Sequence, residues 1–395
     1  MNFSQLNTPE VTREFYFNIG RERELVYLFL ILSAGYLIWS IVKRIKIWRA
    51  GKSELRHDRP FARMLAVLKY AILQAKVLRE FTAGIMHAAL FFGFAALVAV
   101  TAILTIQEDI TFPLIDFRFL YGHRYILWSL FADTAGVIVL AGLIVAIARR
   151  YIVKNRRLDT KGTDTLILVL LLVIILSGFM AEALRIAITG FPEFEIWSPA
   201  GFALARLFSG IDTGVLNSIH YTDWWVHMSS SFLFIALLAT GKPGHVLITM
   251  INIYFMNLEN ESDKTKYAVP VIDPAVFETA ESFGVSRVEE FTWKQLMDGD
   301  ASTRCGRCQD NCPAFLTDKP LSPKKMINDI KDNMDIRIPQ LIAAEDRGAL
   351  STLPLIGDGT EGSGSVQPDE FWSFTNCAAC MHACPVNIEH IPKII

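Results

Sequence analysis

Cysteine is missing from the first 304 residues: all six cysteines of the chain lie between Cys305 and Cys384. Nothing before that stretch can be closed by disulfides or bind metal through thiolate. Charge is scarce as well. Only 20% of the 395 residues are charged while 52% are hydrophobic, and the mean hydropathy is +0.34, outside the ordinary range of a wholly soluble chain. Neither sign dominates, the formal net charge being −2. The basic residues cluster between apolar runs, where they speak of membrane topology and not of nucleic acid. No cleavable leader is evident, since the first 24 residues are polar and mixed in charge. The first apolar run is therefore expected to stay as an anchor.

What is present is a set of long apolar runs: Leu25–Val42, Phe81–Ile106, Tyr125–Ala148, Thr165–Ile188 and Asp223–Thr240. Each is long enough to cross a ~30 Å hydrocarbon core as a helix. The fold class predicted is an all-α membrane protein, a five-helix transmembrane bundle followed by a small, mostly α-helical soluble domain with two ferredoxin-like clusters. Orientation follows from Lys and Arg. Lys43–Arg63 carries eight and Arg149–Lys161 six, whereas Gln107–His123 and Phe191–Tyr221 carry one each, Arg118 and Arg206. The positive-inside rule puts the N-terminus outside and everything after the fifth span in the cytoplasm. Met64–Glu80 reads as an amphipathic helix on the inner interface, with Lys69, Lys76 and Arg79 on its polar side. The expected division is a membrane domain over 1–252, a connector over 253–300 and a cysteine-bearing domain over 301–395. Within the last, Gly357–Ser365 reads as a flexible surface loop.

Ionisable residues inside spans are costly and mark functional sites by default. His87 lies near the inner end of the second span; His227 and His245 lie at opposite ends of the fifth. Eighteen residues separate the latter two, which is five helical turns, so one continuous helix would carry both on one face roughly 27 Å apart. His87 and His245 fall at one depth and are candidates for bis-histidine ligation of an inner haem b. His227 would serve an outer haem, with His123 as its candidate partner, His220 as the other outer histidine, and Leu97 where the second span would need one. The sequence Gly241-Lys242-Pro243-Gly244 threatens the five-turn phase. Asp133 in the third span and Glu182 with Arg185 in the fourth are candidates for a quinone-side proton path; the competing reading is an ion pair that fixes helix packing.

The cysteines form two groups, Ser302-Thr-Arg-Cys305-Gly-Arg-Cys308-Gln-Asp-Asn-Cys312-Pro and Phe374-Thr-Asn-Cys377-Ala-Ala-Cys380-Met-His-Ala-Cys384-Pro. Both match the later part of the run C-x2-C-x2-C-x3-C-P, whose last cysteine ligates the other cluster in two-cluster ferredoxins. By that rule cluster one takes Cys305, Cys308 and Cys384, and cluster two takes Cys377, Cys380 and Cys312. The first cysteine of each run is absent. Ser302 stands at one such position as a candidate fourth ligand, and Phe374, which has no donor atom, stands at the other. Three outcomes stay open: a 3Fe-4S cluster, a 4Fe-4S cluster with a non-cysteine ligand, or a fold that has lost its clusters. Zinc held by three cysteines is the bland alternative.

Further stretches carry a resemblance. They are Thr12-Arg-Glu-Phe-Tyr-Phe-Asn-Ile, Gly84-Ile-Met-His87 with Phe92-Gly-Phe, Trp224-Trp-Val-His227, Phe291-Thr-Trp-Lys-Gln-Leu, Cys305-Gly-Arg-Cys308-Gln-Asp and Pro320-Leu-Ser-Pro-Lys-Lys. With them the chain resembles fused proteins that join a haem b membrane domain to a heterodisulfide-reductase-like iron–sulfur domain. That group includes electron-transfer-flavoprotein:menaquinone oxidoreductases and membrane subunits of sulfite-reductase-linked complexes. The membrane half is similar to the nitrate reductase gamma subunit, in which the second and fifth spans each carry two haem ligands. His87, His227 and His245 match three of those positions, and Leu97 replaces the fourth. The resemblance implies an inner haem b, menaquinone as the membrane partner, and a cytoplasmic redox partner such as an electron-transfer flavoprotein or a heterodisulfide-reductase-like subunit. It also implies a place in a hetero-oligomeric respiratory complex of a bacterial or archaeal cytoplasmic membrane. Members of the group often continue past the second Cys-Pro into a further cysteine-rich segment, which is expected in a partner or in sequence beyond Ile395. The rival expectation is a structural or assembly subunit whose cofactor sites have decayed.

Overall fold

The computed structural model describes residues 7–259, 284–343, 354–360 and 362–395. Half of the expected connector, residues 260–283, thus lies outside the described residues, as does Glu361 in the predicted surface loop. The chain divides into two compact units. One comprises Met1–Tyr36, Glu80–Lys154 and Lys161–Ala236; the other comprises Leu37–Arg79, Asn155–Thr160 and Leu237–Ile395. Among the described residues there is no strand, only the isolated bridges Lys52–Thr292 and Ile356–Val366.

Four helical runs are long and apolar enough to cross a membrane: Arg21–Trp48, Phe81–Ile115, Gly122–Ile152 and Gly162–Ile188. Their apolar side chains face outward, as Leu28, Ile31 and Leu32 do on the first run at 51–67% exposure, an arrangement that suits lipid and would be unfavourable in water. The second and third helices approach so closely that a Cβ at Gly93 would stand 2.4 Å from Val139 Cγ2. The fourth is anchored at its start by Asp164, whose carboxylate accepts from the Lys161 N–H (3.1 Å) and from Arg150 (3.0 Å). This places a negative charge where the helix dipole favours it.

The fifth predicted span is not among these four. The helix there begins earlier than expected, at Thr213, and ends at Leu237. Its 25 residues would reach across a bilayer, but Asn217, His220, Thr222, Asp223, His227 and three consecutive serines from Ser229 keep its hydropathy low. Residues 238–244 then turn, with Gly241 at φ +54°, and a separate ten-residue helix starts at His245. His227 and His245 therefore do not share one continuous helix, and the five-turn phase between them is lost. The glycines and Pro243 supply the reason: proline lacks the N–H that would continue the ladder, and Gly241 adopts a left-handed conformation.

The interfacial helix predicted over Met64–Glu80 is also broken. It appears as a helix over Pro60–Val67, a wide π turn over Leu68–Ile72 and a 3-10 turn over Val77–Arg79. Arg63, one of the basic residues before it, is buried and donates to the carbonyls of Tyr254 and Met256 at 2.9 Å each. A cation thus closes the C-terminal end of the helix that His245 opens.

The second unit packs around Ile47, Trp48, Leu296, Met297, Met326, Ile330 and Ile338. Trp293–Ala301 starts with a reciprocal cap, Thr292 N–H donating to Gln295 Oε1 (2.9 Å) and Gln295 N–H to Thr292 Oγ1 (3.3 Å). The described end of the expected connector, including Val288 and Phe291, packs in this same core. The same unit contains a buried ionic chain. Asp298 accepts from Lys294 (2.8 Å) and Lys393 (2.5 Å), while Glu389 pairs with Arg56 (2.9 Å).

Candidate functional site

Both cysteine groups belong to the second unit, and all six thiols are free. Each group follows the same local path. Cys305 is flanked by Arg304 and Gly306 at φ +55° and +78°, and Cys377 by Asn376 and Ala378 at +48° and +60°. One helical turn follows each, Arg307–Asp310 and Ala379–Ala383. Left-handed residues beside right-handed ones turn successive N–H groups toward one side, a concavity suited to an anionic centre. Glycine is required at 306, because a Cβ there would meet Arg157 Cβ at 2.8 Å and the Arg157 carbonyl at 2.9 Å.

The chain folds back so that the end of one group meets the start of the other. Cys305, Cys308 and Cys384 line one small cavity, together with Ser302, Arg304, Lys324, Ile388 and His390. Cys380 lies within electrostatic reach of Cys312, Cys377 and Cys384. Burial is the main cause that pushes the Cys384 thiol up to about 11 and the Cys380 thiol up to about 12, with neighbouring thiols adding to it. Cys308 is raised well above the ordinary thiol range for the same reasons, burial first, then Cys384 and Cys305. Such thiols resist ionising alone and become thiolates on binding a cationic centre. Backbone donors stand ready for that charge: the Ile388 N–H lies 3.4 Å from Cys384 Sγ.

Cations surround the first set. Lys324 donates to the Arg157 carbonyl (2.9 Å) and to Asp159 (2.8 Å), and Arg304 donates to Asn328 (3.2 Å). Arg307 clamps the segment beneath through the carbonyls of Lys76 (2.7 Å) and Val77 (2.9 Å). Lys76, expected on a solvated face, reaches Asn387 and lowers the Cys384 thiol electrostatically. Lys76 was expected only on the polar side of an interfacial helix, and His390, six residues after Cys384, belongs to no motif. Among the described residues no three of His, Cys, Asp and Glu converge tightly enough to hold a single metal ion. Thiols spread around a cavity fit a polynuclear iron–sulfur centre better than one tetrahedral zinc.

In the first unit, His227 bonds through Nδ1 to the Ile174 carbonyl (3.0 Å) and Ser177 Oγ (3.1 Å), with its ring against Gly178. In the second, His245 bonds through Nδ1 to the Lys242 carbonyl. A carbonyl partner fixes the proton on Nδ1 and leaves Nε2 as the ligating nitrogen, the usual support of a metal-bound histidine. His87 is half-buried and stacks on Phe91 with ring centroids 6.4 Å apart. His123 is half-buried in the first turn of the third helix, and His220 is buried two turns before His227, edge-on to Phe17.

The three proton-path candidates are placed unequally. Asp133 accepts from the Ala200 (3.1 Å) and Gly201 (2.9 Å) N–H groups at the start of the short helix Pro199–Ala205. Arg185 is held in a bidentate pair by Glu195 (2.7 and 3.1 Å), which also accepts from Tyr125 (2.8 Å). The ion pair expected between Glu182 and Arg185 is thus built with Glu195, a residue whose role lay hidden in a loop. Glu182 lies against Gly201, where a Cβ would stand 2.5 Å from its carboxylate, and takes a hydrogen bond from Ser198.

Comparison with known proteins bears on the cysteine-bearing region most directly. Residues 302–389 match the family model for a 4Fe-4S dicluster domain. This region is therefore similar to 4Fe-4S dicluster domains. It is 34% identical over 395 residues to a protein named EtfAB:quinone oxidoreductase from Syntrophomonas wolfei, covering 94% of this chain and 53% of that one. It is 27% identical over 405 residues to a probable iron-sulfur-binding oxidoreductase, FadF, of Bacillus subtilis, covering 94% and 54%. A probable membrane-anchored ferredoxin of Chromohalobacter salexigens is 37% identical over 121 residues, 28% of this chain and 18% of that one. The chain spans about half the length of the first two relatives. No solved structure matches it significantly.

Proposed function

We propose that the chain is the membrane-embedded, electron-transferring part of a quinone-linked iron–sulfur oxidoreductase. The observation that carries this reading is the convergence of both cysteine groups in one unit of a chain whose other unit is built on long apolar helices. Iron–sulfur clusters and haem b would supply one-electron transfer, and menaquinone in the bilayer would take or give electron pairs. Cys305, Cys308 and Cys384 would hold the first cluster, and Cys377, Cys380 and Cys312 the second. His87 and His245 would ligate an inner haem b, and His227, with His123, an outer one; the Nδ1 bonds of His227 and His245 support that role. Asp133 and Arg185 are committed to packing contacts, which leaves Glu182 as the group assigned to proton handling. The basic segments over 43–63 and 149–161 support a cytoplasmic placement for the clusters. The name of the Syntrophomonas relative points to an electron-transfer flavoprotein as the soluble partner and to a quinone as the membrane partner.

Metal analysis with reduced-minus-oxidised spectra of the purified protein tests this. Iron, labile sulfide and a b-type band are expected, and His87→Ala should remove the inner band. A protein with iron but no b-type band would confine the chemistry to the clusters. A protein with neither would favour the second reading, a structural subunit with decayed sites, for which Ser302 and Phe374 in place of cysteine speak.

A further inference from the structure

The two cysteine loops share a backbone path and part company three residues before the first cysteine of each. In the first loop that position is Ser302, on the wall of the cavity that Cys305, Cys308 and Cys384 also line. In the second it is Phe374, whose ring packs with the cluster formed by Ala378, Cys380, Met381 and Ile391. One loop therefore places a residue with an oxygen donor on a cavity wall, and the other an apolar ring in a hydrophobic cluster.

Building on the iron–sulfur reading above, we propose that the two centres are unequal: the first is a 4Fe-4S cluster whose fourth iron is bound by Ser302 Oγ, and the second is a 3Fe-4S cluster closed by Phe374. A phenyl ring has no lone pair for iron. It packs instead against the apolar group that includes Cys380 and Met381. A serine must lose its proton to bind as an alkoxide, and that proton passes to solvent on assembly, with no electron moved. The surroundings favour the charge, because Arg304 and Lys324 line the same cavity and Lys76 lies within electrostatic reach of Cys384. His390 is the other donor on the cavity wall. Its Nδ1 bonds to the Ile388 carbonyl (3.0 Å), and it is the natural rival for the fourth iron.

The test is iron and labile-sulfide analysis of the purified full chain, with EPR of the oxidised and reduced protein. The proposal expects about seven non-haem irons per chain, a 3Fe-4S signal near one spin when oxidised, and a 4Fe-4S signal when reduced. Phe374→Cys should abolish the 3Fe-4S signal and raise the non-haem iron content to about eight. Ser302→Ala should convert the first centre into a second 3Fe-4S cluster, while Ser302→Cys keeps four irons and His390→Gln changes neither signal. The proposal is overturned by wild-type protein with iron but no 3Fe-4S signal. It is equally overturned if His390→Gln, and not Ser302→Ala, releases the fourth iron. Protein with no iron at all would contradict the iron–sulfur reading itself.

Discussion

The two units bury charge in different ways. In the helix-rich unit a compact knot, Arg185 with Glu195 and Tyr125, ties the fourth helix to the turn Glu193–Trp197, and Asp133 caps the short helix that follows. In the cysteine-bearing unit the charges run as a chain, Lys294–Asp298–Lys393 beside Glu389–Arg56. The knot is balanced pairwise. The chain rests on one carboxylate between two buried ammonium groups. Removing one partner of a buried pair strands a charge, at about 3–5 kcal/mol, whereas an isolated pair can be replaced by apolar groups at little cost. The difference suggests that the first unit uses charge to fix where helices end, and the second to hold a loop-rich fold around its thiols.

The largest effect is expected from Asp298→Leu, which strips Lys393 of its carboxylate and leaves Lys294 only the more distant Glu389, at 3.8 Å. The cysteine-bearing unit should lose at least about 3–5 kcal/mol, read as loss of folded protein or a large drop in unfolding midpoint. The same carboxylate sets an acid limit. Lys294 and Lys393 hold its pKa below the usual range, against burial, which raises it. Its contribution is therefore complete above the ordinary carboxylate pKa and is lost as pH falls through the depressed value. Wild-type stability should decline on acidification below about pH 4, and Asp298→Asn should flatten that decline.

Next in size is Glu195→Ala, which strands Arg185 in the first unit. The loss should be of similar order, about 3 kcal/mol, but Arg185→Met in the same chain should recover most of it. If the double variant is as poor as the single one, the knot is not pairwise and the contrast between the units fails.

A smaller and signed pair tests the loop geometry. Gly306→Ala should cost about 1–3 kcal/mol, because φ is +78° and the new Cβ meets Arg157. Ala378→Gly, at the matching position of the other loop, should instead stabilise by up to about 1 kcal/mol. The least effect is expected from Asp310→Asn, whose 3.2 Å bond to Arg157 is exposed on the carboxylate side, at no more than about 1 kcal/mol in thermal unfolding.

The sequence made short-range features legible and long-range ones only in part. Four apolar runs and both cysteine groups could be read directly, because hydropathy and close spacing are local properties. The crossing of the groups, Cys384 toward Cys305 and Cys312 toward Cys380, was reachable through the general ferredoxin rule. Helix continuity was not. The break after Leu237 depended on Gly241 and Pro243 overriding an apolar pattern, and it removed the shared face of His227 and His245. Partners remote in sequence were hidden too: Glu195 for Arg185, and Lys76 and His390 beside the cysteines, lie on segments with no motif of their own.

The most direct test of the whole account is a quinone-coupled oxidation. The chain is reconstituted in vesicles, its clusters are reduced with dithionite, excess reductant is removed, and a menaquinone analogue is added anaerobically. The account predicts that the reduced cluster signals disappear as quinol forms, and that Cys305→Ala with Cys380→Ala abolishes the reaction. Reduced clusters that persist with the quinone, yet reoxidise at once with a soluble one-electron acceptor, would contradict it.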